Sequence, residues 1–292
     1  MSQTILNRLS YKEAAIRGLD QLPPFSPVLN HLMSSLADED VSFAQLAGVI
    51  ERDSVLSGNV LRLVNSALYG RRGTVSSVRA AVSILGINRL RNYLLGLTVS
   101  RLFARLKPPP SFDMGRFNNH SAAVAILADQ MVQKIDSAYP EGAFAAGLLH
   151  DLGRLMVAMA LPNEYQQISM LNMDGVRRLE DCEFEVIETT HSELSAAALH
   201  RWGLPTPIQK AVLYHHNSAL DPAANQGGLI ALSAVVEAAD EIADSLGHSL
   251  DELDTKKAPM MGESFGRLGL EPSAESILKA LESELQAVRA TD

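Results

Sequence analysis

Seven side chains between residues 120 and 240 have the chemistry of metal ligands: His120, His150, Asp151, His191, His215, His216 and Asp240. The densest part is Gly147-Leu148-Leu149-His150-Asp151-Leu152-Gly153-Arg154, where an imidazole and a carboxylate stand side by side in an apolar, Ala- and Leu-rich run. Burying such groups costs free energy unless they are paired or bound to a cation. Imidazole is the commonest protein ligand for transition metals, and carboxylates bridge or charge-balance paired metals. Taken singly, His120 or His191 reads as a hydrogen-bonded structural imidazole, and Asp240 as a cap or ion-pair partner. Taken in order within one helical half-chain, the set reads as a metal site. The remaining His31, His200 and His248 fit no such pattern, and Cys182 has no neighbouring base and reads as an inert thiol.

Helices must position these groups, because nearly every segment carries helical periodicity and strand signals are almost absent. In the first half the pattern predicts helices over 4–20, 28–36, 43–52, 54–65, 76–85 and 88–106. Residues 22–27 form a rigid connector, Asp40-Val41-Ser42 and Asp53-Ser54 supply caps, residues 68–73 make a turn, and Gly86-Ile87 is a break. Lys107-Pro108-Pro109-Pro110-Ser111 is the clearest boundary, since consecutive prolines cannot sit inside a helix. Beyond it helices are expected over 113–136, 141–160, 162–172, 177–202, 206–216, 228–246 and 273–290, with a loose connection over 249–270. The chain therefore reads as all-α: an N-terminal helical subdomain over 1–107, a helical bundle over 111–248 carrying the seven donors, and a connection with a C-terminal helix over 249–292. On this reading His215-His216 falls where a helix expires and His191 near a helix end. The doublet His150-Asp151 lies inside a helix, where adjacent residues point about 100° apart. Both can still serve one site if the helix end lies across it.

Composition narrows the function classes. Aromatic residues make up only 5% of the 292, which favours helices packed through small and aliphatic side chains over a β-sandwich. The formal net charge of −9 argues against a whole-surface grip on nucleic acid. Arg71, Arg72, Arg79, Arg89, Arg91, Arg101 and Arg105 gather in one stretch, which reads as a solvated face. One cysteine permits no internal disulfide, and the expectation is a reducing, cytoplasmic setting with no signal peptide and no membrane span.

The order His … His-Asp … His … His-His … Asp resembles the HD superfamily of metal-dependent phosphohydrolases. The first half resembles the HDOD family of bacterial signal-transduction proteins more closely still, through Leu22-Pro23-Pro24-Phe25, Ile50 to Leu56, Leu61 to Gly70 and Ala80 to Gly86. Trp202-Gly203-Leu204-Pro205 and Tyr214-His215-His216 continue the likeness in the second half. The resemblance implies an all-helical output module with an HD-type bundle. It implies one divalent metal on His120, His150, Asp151 and Asp240, and a second on His191, His215, His216 and the shared Asp151. Asp151 and Arg154 are the residues it implies for catalysis. The mixed N/O donor set suits iron or manganese, with nickel or zinc as alternatives to these and calcium disfavoured. Arg154 stands where cyclic-dinucleotide phosphodiesterases carry Lys, and Asn217 to Pro222 stands where they carry Gly-Tyr-Pro.

Three readings compete, and the sequence favours the first. The first is an HDOD-type regulatory protein with a metal site and a protein partner in a signalling pathway. The second is an active phosphohydrolase or phosphodiesterase on a phosphate-containing small molecule, a nucleotide or cyclic dinucleotide. The third is a nucleic-acid-binding module using the Arg-rich stretch, which the acidic balance disfavours. No membrane is implied.

Overall fold

A computed structural model of the chain describes residues 11–17, 27–35, 47–48, 50–65, 74–173, 176–224, 228–251 and 259–289. The connector at 22–26, the cap at 40–42 and the turn at 68–73 lie outside the described residues. Among the described residues there is no strand, only one isolated bridge between Ser137 and Ile230, so the architecture is all-α.

Helices α1 (Pro27–Ser35), α2 (Ser54–Val64), α3 (Val78–Leu85) and α4 (Ile87–Phe103) build the first half. Asp53 caps α2 by accepting from the N–H groups of Val55 and Leu56 at 2.9 and 3.0 Å. Ser77 caps α3, and Gly86, at φ 78°, turns the chain from α3 into α4. Helix α4 is apolar on more than one face. Leu90 and Leu94 join a core with Val28, Leu32, Val60 and Val82, while Leu95, Val99, Leu102 and Phe103 join the larger core of the second half. Three members of the Arg-rich stretch face protein acceptors. Arg79 faces Glu51, Arg89 faces Glu284, and Arg91 donates to the carbonyl of Glu141. Arg71 and Arg72 lie outside the described residues.

The second half comprises α5 (Met114–Val132), α6 (Ala143–Leu149), α7 (Leu152–Ala160), α8 (Pro162–Asn172), α9 (Leu179–Ile187), α10 (His191–Arg201), α11 (Thr206–Leu213), α12 (Leu232–Ser245), α13 (Met261–Arg267) and α14 (Ala274–Arg289). Three sequence expectations change here. The helix expected over 141–160 breaks at His150-Asp151, and Asp151 (φ −95°, ψ 10°) becomes the cap position of α7. The helix expected over 177–202 breaks at Glu188, which is left-handed at φ 55°. Thr190 then caps α10 through the Glu193 N–H. The loose connection contains α13, held by buried Phe265 and by Ser264 and Arg267, which both donate to Glu241 of α12. The stretch Pro140–Ala160 is long and apolar enough to cross a membrane, yet 89% of its apolar window is buried inside the protein.

Candidate metal centre

Two glycines set the approach of the helices that carry the donors. A Cβ on Gly147 would stand 2.8 Å from both the Ala125 Cα and the Val124 carbonyl oxygen, so α6 lies backbone-to-backbone on α5. That brings His150, just past the end of α6, beside His120 in the middle of α5. A Cβ on Gly153 would stand 2.0 Å from the His191 carbonyl oxygen, so the start of α7 lies against the start of α10. The Gly153 N–H donates to buried Ser195 Oγ at 2.7 Å and pins the same contact. The break at the doublet matters for the chemistry, because the turn lets both His150 and Asp151 face one pocket.

All seven predicted donors meet there. His120 Nε2 is 3.1 Å from His150 Nε2, 3.2 Å from Asp240 Oδ1 and 3.7 Å from Asp151 Oδ2. His191 Nε2 is 2.8 Å from His216 Nε2 and 3.3 Å from Asp151 Oδ1, and His215 Nε2 is 3.9 Å from that same oxygen. Asp151 thus turns one oxygen toward His120 and the other toward His191, His215 and His150, the last at 3.8 Å. Asp151, His191, His215 and His216 form one set able to hold a cation, and His120, His150 and Asp151 form another. Asp240 joins through His150 and His215, and again through His120 with Asp244.

The outer nitrogens settle which ring atoms face inward. His120 Nδ1 donates to the His248 carbonyl at 2.7 Å, His150 Nδ1 to the Gly147 carbonyl at 2.8 Å, and His215 Nδ1 to the Val212 carbonyl at 2.6 Å. A carbonyl only accepts, so each Nδ1 carries the proton and each neutral ring turns an Nε2 lone pair into the pocket. Two such lone pairs 3.1 Å apart repel unless a cation or a proton lies between them. His215 Nε2 is buried with no hydrogen-bond partner. A buried orphan of that kind is costly. His191 Nδ1 donates to the buried carboxylate of Glu183 at 2.8 Å, and its backbone N–H donates to the same group at 2.9 Å. These outer contacts are the ones that fix the ring and raise the basicity of a ligating histidine.

Without a cation, protons take its place. Burial opposes the charged form of His120, but its hydrogen bond to Asp240 and the charges of Asp240, Asp151 and Asp244 overcome this and raise its pKa to about 10. His191 is likewise raised to about 9, with Glu183 and Asp151 overcoming burial. Burial together with the neighbouring imidazoles pushes His215 well below the ordinary histidine range. Burial opposes ionisation of Asp151, yet His150, Arg154 and His191 hold its carboxyl well below the usual range. The pocket is therefore poised to accept positive charge, as proton or as metal.

Sequence reasoning passes over several members of this centre. Glu183 buries its carboxylate behind His191, and Glu180 lies 4.0 Å from His216 Nδ1. Asp244 lies 3.6 Å from His120 Nδ1. His248, set aside on pattern, contributes its backbone carbonyl. Arg154 Nη1 donates to Asp151 Oδ2 at 3.3 Å while Nη2 pairs with Asp251, so the residue is buried between two carboxylates.

With the geometry in place, comparison with known proteins identifies the family. The profile of the HDOD domain matches residues 22–218, two thirds of the chain. The chain belongs to the HDOD family. The HDOD match ends before Asp240, which α12 adds to the centre. An HDOD domain protein of unknown function from Geobacter sulfurreducens superposes with a TM-score of 0.74 at 25% identity, covering 96% of this chain and 99% of that one. A protein described as a candidate phosphohydrolase, from Shewanella amazonensis, superposes with a TM-score of 0.71 at 24% identity over 93% and 96% of the two chains. An uncharacterized protein of Treponema pallidum is 24% identical over 202 residues, 68% of this chain but only 38% of that relative's length. The two solved structures share the helical fold of this chain.

Proposed function

We propose that this HDOD protein holds a pair of divalent transition-metal cations and hydrolyses a phosphate ester as the output of a bacterial signalling pathway. The observation that carries the reading is the convergence of Nε2 lone pairs, with every outer nitrogen of His120, His150 and His215 already committed to a carbonyl. His120, His150, Asp151 and Asp240 would hold one cation, and His191, His215, His216 and Asp151 the other. Bound cations supply Lewis acidity toward a phosphate and make water a better nucleophile near neutral pH. The chain's own residues do the rest. Asp151 offers an oxygen to each half. Glu183 holds the His191 ring in place, and Arg154 balances the charge of Asp151. His216 is 30% exposed, so the pocket is open on that side. Loading requires His120 and His191 to release their protons. The reading assigns the protein to the cytoplasm, with the N-terminal helices contacting a partner protein.

A second reading keeps the cations and gives them a structural role, with output through protein contact alone. It draws support from Arg154, which is buried between Asp151 and Asp251 and is not offered to a phosphate. The test is hydrolysis of bis-p-nitrophenyl phosphate and p-nitrophenyl phosphate after anaerobic loading with iron or manganese. The hydrolase reading expects turnover that Asp151→Asn abolishes with helical content unchanged. Tight metal binding without turnover on either ester, or on cyclic dinucleotides, would replace it with the structural reading.

A further inference from the structure

Behind the seven donors, bordered by α7, α8 and α9, lies a cleft of about 190 Å³ whose walls include Arg154, Tyr165, Ile168, Asn172, Leu179 and Glu183. None of the seven donors lines it. Two of its walls nevertheless touch them: Arg154 reaches Asp151 and Glu183 reaches His191. The cleft is therefore one residue removed from each half of the centre.

Its mouth is held by the chain itself. The Arg154 guanidinium is buried, with one amino group on Asp151 and the other on Asp251. The side chain of Asp251, by contrast, is 46% exposed. A half-exposed carboxylate that reaches in to pair with a buried guanidinium marks where an external anion's head group would sit. The planar fork of Arg matches a carboxylate well. Glu183 also lines the cleft, which disfavours a dianion such as a phosphate monoester and favours a monoanion. Ile168 and Leu179 offer apolar walls, and the buried amide of Asn172 offers a polar one. A cavity of ~150 Å³ is enough to take benzene. This cleft therefore has room for a carboxylate on a short apolar or aromatic body.

We propose that the cleft is a binding site for a small monocarboxylate, which displaces Asp251 from Arg154 and acts on the metal centre through Arg154 and Glu183. Asp251 is then an internal competitor that keeps the site mostly closed. The apparent affinity of a site open only a fraction of the time is reduced by that fraction.

The experiment is calorimetric titration of benzoate into the full chain, in chelator-treated and in manganese-loaded form. Asp251→Asn removes the competing charge and is expected to tighten benzoate binding by about tenfold. Ser169→Trp fills the cleft from its exposed rim and is expected to abolish binding without touching Arg154. Benzyl alcohol, which lacks the charge, is expected to gain nothing from Asp251→Asn. Benzoate and manganese should alter each other's affinity by the same factor. Equal benzoate affinity in the wild type and Asp251→Asn, or binding that survives Ser169→Trp, would overturn the site. Benzoate binding with no change in manganese affinity would overturn its action on the centre. The chelator-treated titration needs no metal and no turnover, so a failure of the hydrolase reading leaves this result standing.

Discussion

Replacing Gly153 with alanine tests the packing that assembles the two halves of the centre. The new methyl would stand 2.0 Å from the His191 carbonyl oxygen and 2.7 Å from the His191 Cα, short of ordinary contact at 3.4 Å by about 1.4 Å in the first case. The obstructing atoms are backbone, so no rotamer change relieves the clash. Overpacking of a close-packed interior costs ~1–3 kcal/mol, and a backbone obstacle places this variant at the upper end. At ~2–4 °C per kcal/mol for a large domain, the melting temperature should fall by roughly 6–12 °C. The relief must come from separating α7 from α10, which draws Asp151 away from His191. Metal affinity should then fall at least as far as when an outer contact is lost, ~10–100-fold. Thermal unfolding of chelated protein gives the first quantity, and a metal titration gives the second. Gly142→Ala is the control: its Cβ would meet the Tyr139 ring and Ile208, side chains able to yield. That variant should lose stability and keep its metal affinity. If Gly153→Ala changed stability by less than ~0.5 kcal/mol and bound metal normally, the account of how the helices meet would be wrong.

Other expectations follow from the same geometry. Glu183→Gln removes the charge behind His191 and should weaken metal binding ~10–100-fold, read by competition with a chromogenic chelator. Arg154→Met removes one of several cationic partners of the buried Asp151 carboxylate, leaving the charged His120 and His191, and should cost ~1–3 kcal/mol in chelated protein, part of it restored when metal is added. The pH dependence has a definite sign. His120 and His191 are raised to about 10 and about 9 in the metal-free fold, so their stabilising contribution is fully present below the ordinary histidine value of ~6.5. It is lost as pH rises through 9 to 10. Chelated protein should therefore melt at a lower temperature at pH 10 than at pH 7, while metal affinity rises over the same interval because those protons must leave. Asp151 and Asp240 are depressed, so their contribution is present above ~4 and fades as pH falls toward strong acid.

The sequence makes the donors legible, because imidazoles and carboxylates stand out in an apolar helical half-chain. His215-His216, just past α11, falls where a helix end is expected. The break at His150-Asp151 is invisible to periodicity, since apolar residues continue on both sides; the contact of Gly153 with the His191 backbone is tertiary and leaves no local pattern. Glu183 resembles any acidic residue on an exposed helix until α10 is laid across it. His248 acts through a carbonyl, a group that every residue carries and no residue type announces. The break at Glu188 escapes for a similar reason, because a left-handed glutamate lacks the glycine that usually marks such a stop. Helix α13 is short and rests on contacts with Glu241 that only the folded bundle supplies.

Metal content is the most direct test of the central claim. Chain expressed and reconstituted with iron or manganese under reducing conditions, then passed through a desalting column, should retain about two equivalents of metal, measured by elemental analysis. Asp151→Ala, which removes the carboxylate shared by both halves, should reduce this to well under one with the fold intact. Retention of no metal by the wild-type chain, or equal retention by Asp151→Ala, would contradict the account.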